Sequence, residues 1–345
     1  MHDSELVHSY QRLTSSWGYF PLENWSVVTI KGDDRASFLH NLCTQEILQL
    51  QPGTGCELFL SDVKGHIIAH VYLQVEENSL RLLTVPDQAT TIMDHLDRYI
   101  IREDVVLTDE TNGWNSLVVL GPEAAPQLAG LADNRHATPL PALQQHWQHT
   151  PLILAGDYPK LPPCEVTRTD WLHVPCYLLQ FPTNPPEFSQ PQDDPSINIY
   201  QIFEAAGAHC CGNTTWNTFR IESGLPLWGI DFNQENLPQE VARNEQAISF
   251  HKGCYLGQET IARIDALGHV NRQITTLRFD GKDMPEPGTP LLAEGKQIGT
   301  VTSTCWSPHE NSPLALAMVR RGFNAPGTQL ESIVGAASVL NTLSC

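Results

Sequence analysis

Positions 251–259 of the chain read His251-Lys-Gly-Cys-Tyr-Leu-Gly-Gln-Glu259. Cys254 stands between Gly253 and Gly257, residues that let a backbone turn sharply and let another molecule come close. Ile261 and Ile264 follow three apart, so the spacing predicts a helix starting just beyond the loop. A thiol near a helix N-terminus and close to Lys252 has its thiolate favoured by dipole and charge. Such a thiolate attacks disulfides, binds soft metals or is oxidised. The same residues also describe a buried cysteine packed beside a glycine-rich turn.

Upstream lies Thr214-Thr-Trp-Asn-Thr-Phe-Arg-Ile-Glu-Ser-Gly-Leu-Pro226, where Gly224 and Pro226 mark the end of a helix. Trp216 and Arg220 are four apart and share a face, whereas Glu222 points elsewhere. A tryptophan stacks on flat heterocycles, and a carboxylate binds an N–H/NH2 edge at two points. A core tryptophan beside a salt-bridged Arg–Glu surface fits the pattern as well.

Further out, Trp25–Ile30 reads as a strand, and Asp33 is placed to cap a helix carrying Ala36, Phe38, Leu39, Leu42 and Cys43. Residues 66–75 alternate, with Ile67, Ala69, Val71, Leu73 and Val75 on one face and His70 and Gln74 on the other. A neighbouring strand at 80–85 and a helix after Pro86-Asp87 follow, then strands near 104–107 and 116–120. This order predicts α+β layers rather than a βαβ series. The span 139–195 holds 12 of the 25 prolines and reads as loop around a strand pair near 171–181, with 182–195 a surface insertion. Apolar spacing predicts a helix over 197–206, and from about 273 onward short β-rich runs between Pro/Gly turns predict a small barrel or sandwich.

Composition narrows the function classes. Charged residues make up 17% and hydrophobic ones 41%, which excludes a disordered chain. No apolar run approaches the roughly 18 residues of a membrane span. The net charge of −19 opposes nucleic-acid and anionic-lipid surfaces. Arg263, His269, Arg272 and Arg278 cluster in sequence, but direct tRNA binding is disfavoured by the overall charge. The start, MHDSELVHSYQRL, lacks secretory or transit character, and nine cysteines without a framework predict free thiols in a reducing cytoplasm. There is no CxxC, no GxSxG, no phosphate loop and no dinucleotide fingerprint; Cys210-Cys211 beside His209 lacks chelating spacing, so no permanent metal is expected.

The octet Lys252–Glu259 resembles the signature of YgfZ-type folate-binding proteins, relatives of the glycine-cleavage aminomethyltransferase. Arg220-x-Glu222-x-Gly224-x-Pro226, Asp231-Phe232 and Leu237-Pro-Gln-Glu240 precede it in the matching order. Gly32-Asp33, Phe38-Leu39, Thr44, Lys64-Gly65 and Leu120-Gly-Pro122 match the amino-terminal half, and Gly268-His-Val-Asn-Arg272 and Gly299–Ser303 the carboxy-terminal part. The resemblance implies three modules in a ring around a folate channel, with a small C-terminal β-barrel. The expected division is 1–27 with 113–250, then 28–112 with 251–272, then 273–345. It further implies tetrahydrofolate as ligand, with Trp25, Trp216, Glu222 and Arg220 in its site. Cys254 is the implied reactive thiol, able to hold iron transiently, with Lys252, Gly253, Tyr255, Gly257, Gln258 and Glu259 as motif companions.

The implied role is an accessory one: supporting iron–sulfur clusters in client enzymes and, indirectly, tRNA modification, without membrane contact. The alternative is a folate-dependent one-carbon enzyme, an aminomethyltransferase or demethylase. The aminomethyltransferases carry an Asp-Asp pair after the glycine turn, where this chain has Ala69-His70 in Lys64-Gly-His-Ile-Ile-Ala-His-Val71. Neither residue supplies the fixed negative charge that stabilises a developing cation, which weighs against glycine cleavage itself.

Overall fold

A computed structural model describes residues 4–132, 143, 145–154, 164–183 and 199–341. The α+β expectation holds, and the described strands form two open sheets and a closed six-stranded barrel. Part of the proline-rich span, including 184–195, lies outside the described residues, as does Cys345.

The first sheet has six strands. Gly18–Pro21 lies parallel to His209–Cys210 and antiparallel to Trp114–Leu120. Cys176–Pro182, Cys164–Thr169 and His149–Leu152 extend it antiparallel. The strand pair expected at 171–181 therefore begins earlier, and 170–175 form its corner.

In the second, five-stranded sheet, Ile67–Val75 pairs with Thr54–Ser61 and Ser79–Pro86, and Trp25–Lys31 with Ser79–Pro86 and Val106–Asp109. Ala69, Val71 and Leu73 pack with Phe38, Leu39, Ile92 and Leu96 of the helices Arg35–His40 and Ala89–Asp97. The first of these helices starts one residue later than its sequence suggests. Asp34 is at its N-cap and its side chain caps nothing; Asp34 Oδ2 accepts from Asp104 N–H at 2.8 Å instead. Gly32 makes that approach possible, since at φ +110° a Cβ there would lie 2.0 Å from the Asp104 carbonyl oxygen.

The alternating strand also departs from its sequence reading: both its faces are buried. His70 and Gln74 are 3% and 1% exposed. Burying such groups requires partners, and each has one. His70 Nε2 is 2.8 Å from Glu57 Oε1, and Gln74 Nε2 donates to Thr167 Oγ1 of the first sheet at 2.7 Å.

The barrel, Arg272–Phe279 through Gly335–Val339, is filled by Leu277, Phe279, Leu291, Val301 and Val319. Its outer residues Ile274, Leu314 and Leu316 pack against Phe59 and Ile67 of the second sheet. Arg220 and Glu222, from the helix Asn213–Glu222, reach barrel residues Ser303 and Ser307. Each of the three units thus touches the other two, which closes the ring. No described helix is long and apolar enough to cross a membrane.

Candidate functional site

The 251–259 loop is tied down at both ends. Gly257, at φ +80°, is the N-cap of the helix Gln258–Leu267. A Cβ on it would lie 2.5 Å from Asp62 O and 2.9 Å from Gly65 Cα, so the helix start fits against the 62–65 turn only with glycine. Gly253 meets nothing within 4 Å and needs no such freedom. Lys252 is 7% exposed. Its Nζ donates to the carbonyls of His40, Cys43 and Gln45 at 2.7, 2.8 and 2.9 Å. Tyr255 places its ring 4.9 Å from the ammonium. Burial pushes the Lys252 amine below its ordinary value, opposed by the Cys43 thiol and Glu46. Its three protons are committed to the 40–45 loop, so Lys252 is an anchor, while Cys254 is exposed on the loop it anchors. Gln258 and Glu259 form the first turn of the helix beyond.

In the helix Asn213–Glu222, Arg220 is 2% exposed. It donates from Nε to Asn217 Oδ1 (2.7 Å), from Nη1 to Asp231 Oδ2 (2.9 Å) and from Nη2 to Ser303 Oγ (2.8 Å). Glu222 accepts from Tyr10 Oη at 2.7 Å and from Ser307 Oγ at 2.5 Å. Burial pushes its carboxyl up, and the two hydroxyls oppose this. Both side chains are therefore spoken for by the protein itself.

The tryptophans behave differently. Trp25 and Trp216, widely separated in sequence, line one cavity of about 690 Å³ together with Phe20, Trp228, Cys210 and Asn217. Phe20 stacks on Trp216 with ring centroids 5.0 Å apart. A second cavity, of about 560 Å³, is lined by Asp170, Trp171, Ser223, Arg243 and Asn244 and by Gln273 and Thr276 of the barrel. Trp171 of this cavity lies 5.8 Å from Trp25 of the first, so the two sites share an aromatic partition. Neither cavity is lined by Glu222 or Arg220.

Comparison with known proteins follows from this arrangement of two sheets and a barrel. Residues 4–149 match the GCVT N-terminal domain, and residues 272–341 match the glycine cleavage T-protein C-terminal barrel domain. The crystal structure of the glycine cleavage system aminomethyltransferase T from Bartonella henselae superposes with a TM-score of 0.79 at 18% identity, covering 98% of this chain and 89% of that one. The chain is aminomethyltransferase-like. In sequence it is 26% identical to an aminomethyltransferase of Streptomyces avermitilis, over 91% of this chain and 81% of that protein. It is 25% identical to one from Thermosynechococcus vestitus, over 95% and 83%.

In this aminomethyltransferase-like chain, the position of the absent Asp pair is occupied by a buried charge cluster. His70 is bonded to Glu57, which is fully buried. Arg243 grips Glu57 through Nε (2.9 Å) and Nη2 (2.5 Å), and Nη2 also lies 3.6 Å from Asp170 Oδ1. Burial alone would raise the Glu57 carboxyl; Arg243 and His70 overcome it and hold it down at about 2. A fixed negative charge is thus present beside His70, supplied by a neighbouring strand. Sequence reading passed over Glu57, Arg243, Asp170 and Trp171, because no spacing links them and only the ring brings them together. The adjacent pair Asp170-Trp171 between two strands was the one local signal.

Among the described residues, no group of three or more His, Cys, Asp or Glu is disposed to hold a metal. In the basic cluster, Arg272 Nε bonds Glu240 at 3.1 Å and Arg278 pairs with Glu310 at 3.5 Å. Half of that cluster is neutralised within the protein.

Proposed function

We propose that the chain binds tetrahydrofolate in the cavity walled by Trp25 and Trp216 and handles a one-carbon unit carried on an amine nitrogen. The observation that carries this is the convergence of those two tryptophans on one cavity of about 690 Å³. Flat aromatic walls suit a pterin and an aminobenzoyl ring. The aminomethyltransferase names of the relatives favour one-carbon chemistry over the iron–sulfur role expected of the octet. Glu222 reaches a ligand only by releasing Tyr10 or Ser307, so stacking and not the carboxylate is the basis of the reading.

The test is an anaerobic titration with tetrahydrofolate followed by tryptophan fluorescence. Saturable quenching is expected, and Trp25→Ala and Trp216→Ala should each weaken binding several-fold, since one stacked ring contributes on the order of 1 kcal/mol. Absence of quenching at about millimolar ligand, a free energy near 4 kcal/mol, overturns the assignment.

A second reading rests on Cys254. It is exposed on an anchored loop, where a macromolecular partner can meet it, which suits a YgfZ-type accessory role toward iron–sulfur enzymes. Its test is complementation of a deletion strain: Cys254→Ser should fold and bind folate but fail to support cluster enzymes. Full complementation removes the thiol role.

A further inference from the structure

The 690 Å³ cavity has a charge character that stacking of a pterin does not use. Its wall carries four aromatic rings, Phe20, Trp25, Trp216 and Trp228, and one charged side chain, Glu23. Among the described residues that line it there is no lysine, arginine or histidine. Trp25 and Trp216 lie deep, 9% and 4% exposed. Phe20 and Trp228 are half-buried and Glu23 is exposed, so these three offer surface at the rim. Phe20 is braced by Trp216 at a centroid distance of 5.0 Å and Trp228 by Phe232 at 5.6 Å, which holds both rings in place. Burial pushes the nearby Tyr200 phenol up and Glu23 adds to it, so the negative charge of Glu23 reaches into this corner of the first unit.

The kind of ligand follows from that combination. Aromatic ring faces carry negative potential and attract cations. A carboxylate beside them strengthens the attraction, and here no positive group opposes it. An ammonium that keeps its N–H bonds needs acceptors when it leaves water. One whose hydrogens are replaced by methyl groups has none to satisfy and gains contact with the rings instead. An anion finds no counter-ion on this wall, so of folate only the rings belong in the cavity. The net charge of −19 draws small cations toward the surface. A cavity of about 690 Å³ also has room for a small ammonium beside a flat ligand.

We propose that this cavity also takes a small methylated ammonium compound, its cation held against Phe20 and Trp228 with Glu23 as counter-ion. Trp25 and Trp216, deeper in the wall, remain for the folate rings. The binding claim stands on the lining of the cavity alone. Its meaning, that this compound is the amine whose one-carbon unit meets folate, rests on the function proposed above.

The experiment uses the full chain with choline as probe, read by calorimetry. The control is the neutral isostere of choline, in which a quaternary carbon replaces the nitrogen. Choline should bind at about millimolar concentration and the isostere about tenfold weaker, because the shape is equal and only the charge differs. Glu23→Gln and Trp228→Ala should each weaken choline about three- to fivefold, since each removes one part of the attraction. Glu23→Gln, at an exposed side chain, should leave thermal unfolding and tetrahydrofolate quenching unchanged. No saturable binding of choline at about 10 mM overturns the proposal. So does equal affinity for the isostere, or unchanged affinity in both variants. Competitive displacement of choline by tetrahydrofolate overturns it as well, by assigning the whole cavity to the pterin. Failure of choline with quenching intact removes this site and leaves the folate reading; choline binding without quenching removes the folate reading and leaves this site.

Discussion

Lys252 Nζ lies 2.7 Å from the carbonyl oxygen of His40, and that bond fastens the cysteine loop to the second sheet's first helix. With two further carbonyls completing the shell, the ammonium is used entirely as a clamp. Lys252→Met should therefore destabilise the chain by about 2–4 kcal/mol, since three buried carbonyls lose their donor. Urea unfolding measures this. If Lys252 instead served mainly to activate the thiol, stability would hold and the rate at which Cys254 reacts with a thiol reagent would fall.

Gly257 faces the same test from the backbone side. At φ +80°, with Asp62 O 2.5 Å from any added Cβ, Gly257→Ala combines backbone strain with a clash. A loss of about 2–4 kcal/mol is expected, whereas Gly253→Ala, with open space around it, should stay within about 0.5 kcal/mol. Thermal melts of the two variants side by side decide it.

Thiol accessibility gives a third check. Among the described cysteines Cys210 and Cys254 are exposed, and the rest are buried. Burial pushes Cys164 and Cys211 up to about 12, which keeps them as unreactive thiols. Native protein should show fast labelling at Cys210 and Cys254, and Cys254→Ser should abolish one of these without altering stability. Labelling followed by peptide mapping reads this directly.

Acid should destabilise the chain through two carboxylates, one buried and one half-buried, that charged partners hold ionised. Glu57 is held at about 2 against its ordinary 4.5: burial raises it, and Arg243 and His70 more than reverse that. Glu165 is held at about 2 in the same sense, by His149 and Arg81 against burial. A carboxyl depressed in the folded state contributes stability that is fully present above its unfolded value and lost as pH falls through the folded one. The loss should therefore run from about pH 4.5 down to about pH 2. Glu57 alone accounts for about 2–4 kcal/mol of it. Glu57→Gln should flatten that part of the stability–pH curve and cost about 2–4 kcal/mol at neutral pH, because buried Arg243 is left with the longer 3.6 Å contact to Asp170 as its remaining carboxylate.

Much of the scaffold is encoded locally. Alternation marks the strand Ile67–Val75, the spacing of Ile261 and Ile264 marks the helix behind Gly257, and the Pro/Gly rhythm after 273 marks the barrel. Local periodicity does this because it states which side chains share a face, and a strand or helix needs no more. It does not state what covers the other face. His70 and Gln74 look like a solvent-facing side by sequence, yet the adjacent strand sets Glu57 against His70 and ring closure lays Thr167 against Gln74. Lys252 sits two residues from Cys254 and reads as its activator, but three carbonyls from the 40–45 loop capture the ammonium.

Trp25 and Trp216 were legible singly as aromatics able to stack; that they share a cavity was decided by the packing of the first and second units. Asp170-Trp171 and Arg243-Asn244 are two adjacent pairs that no spacing links to each other. They meet because each of the three units buries a face against the other two, and charges caught at that junction, such as Arg243 with Glu57 and Asp170, must find partners from other segments of the chain.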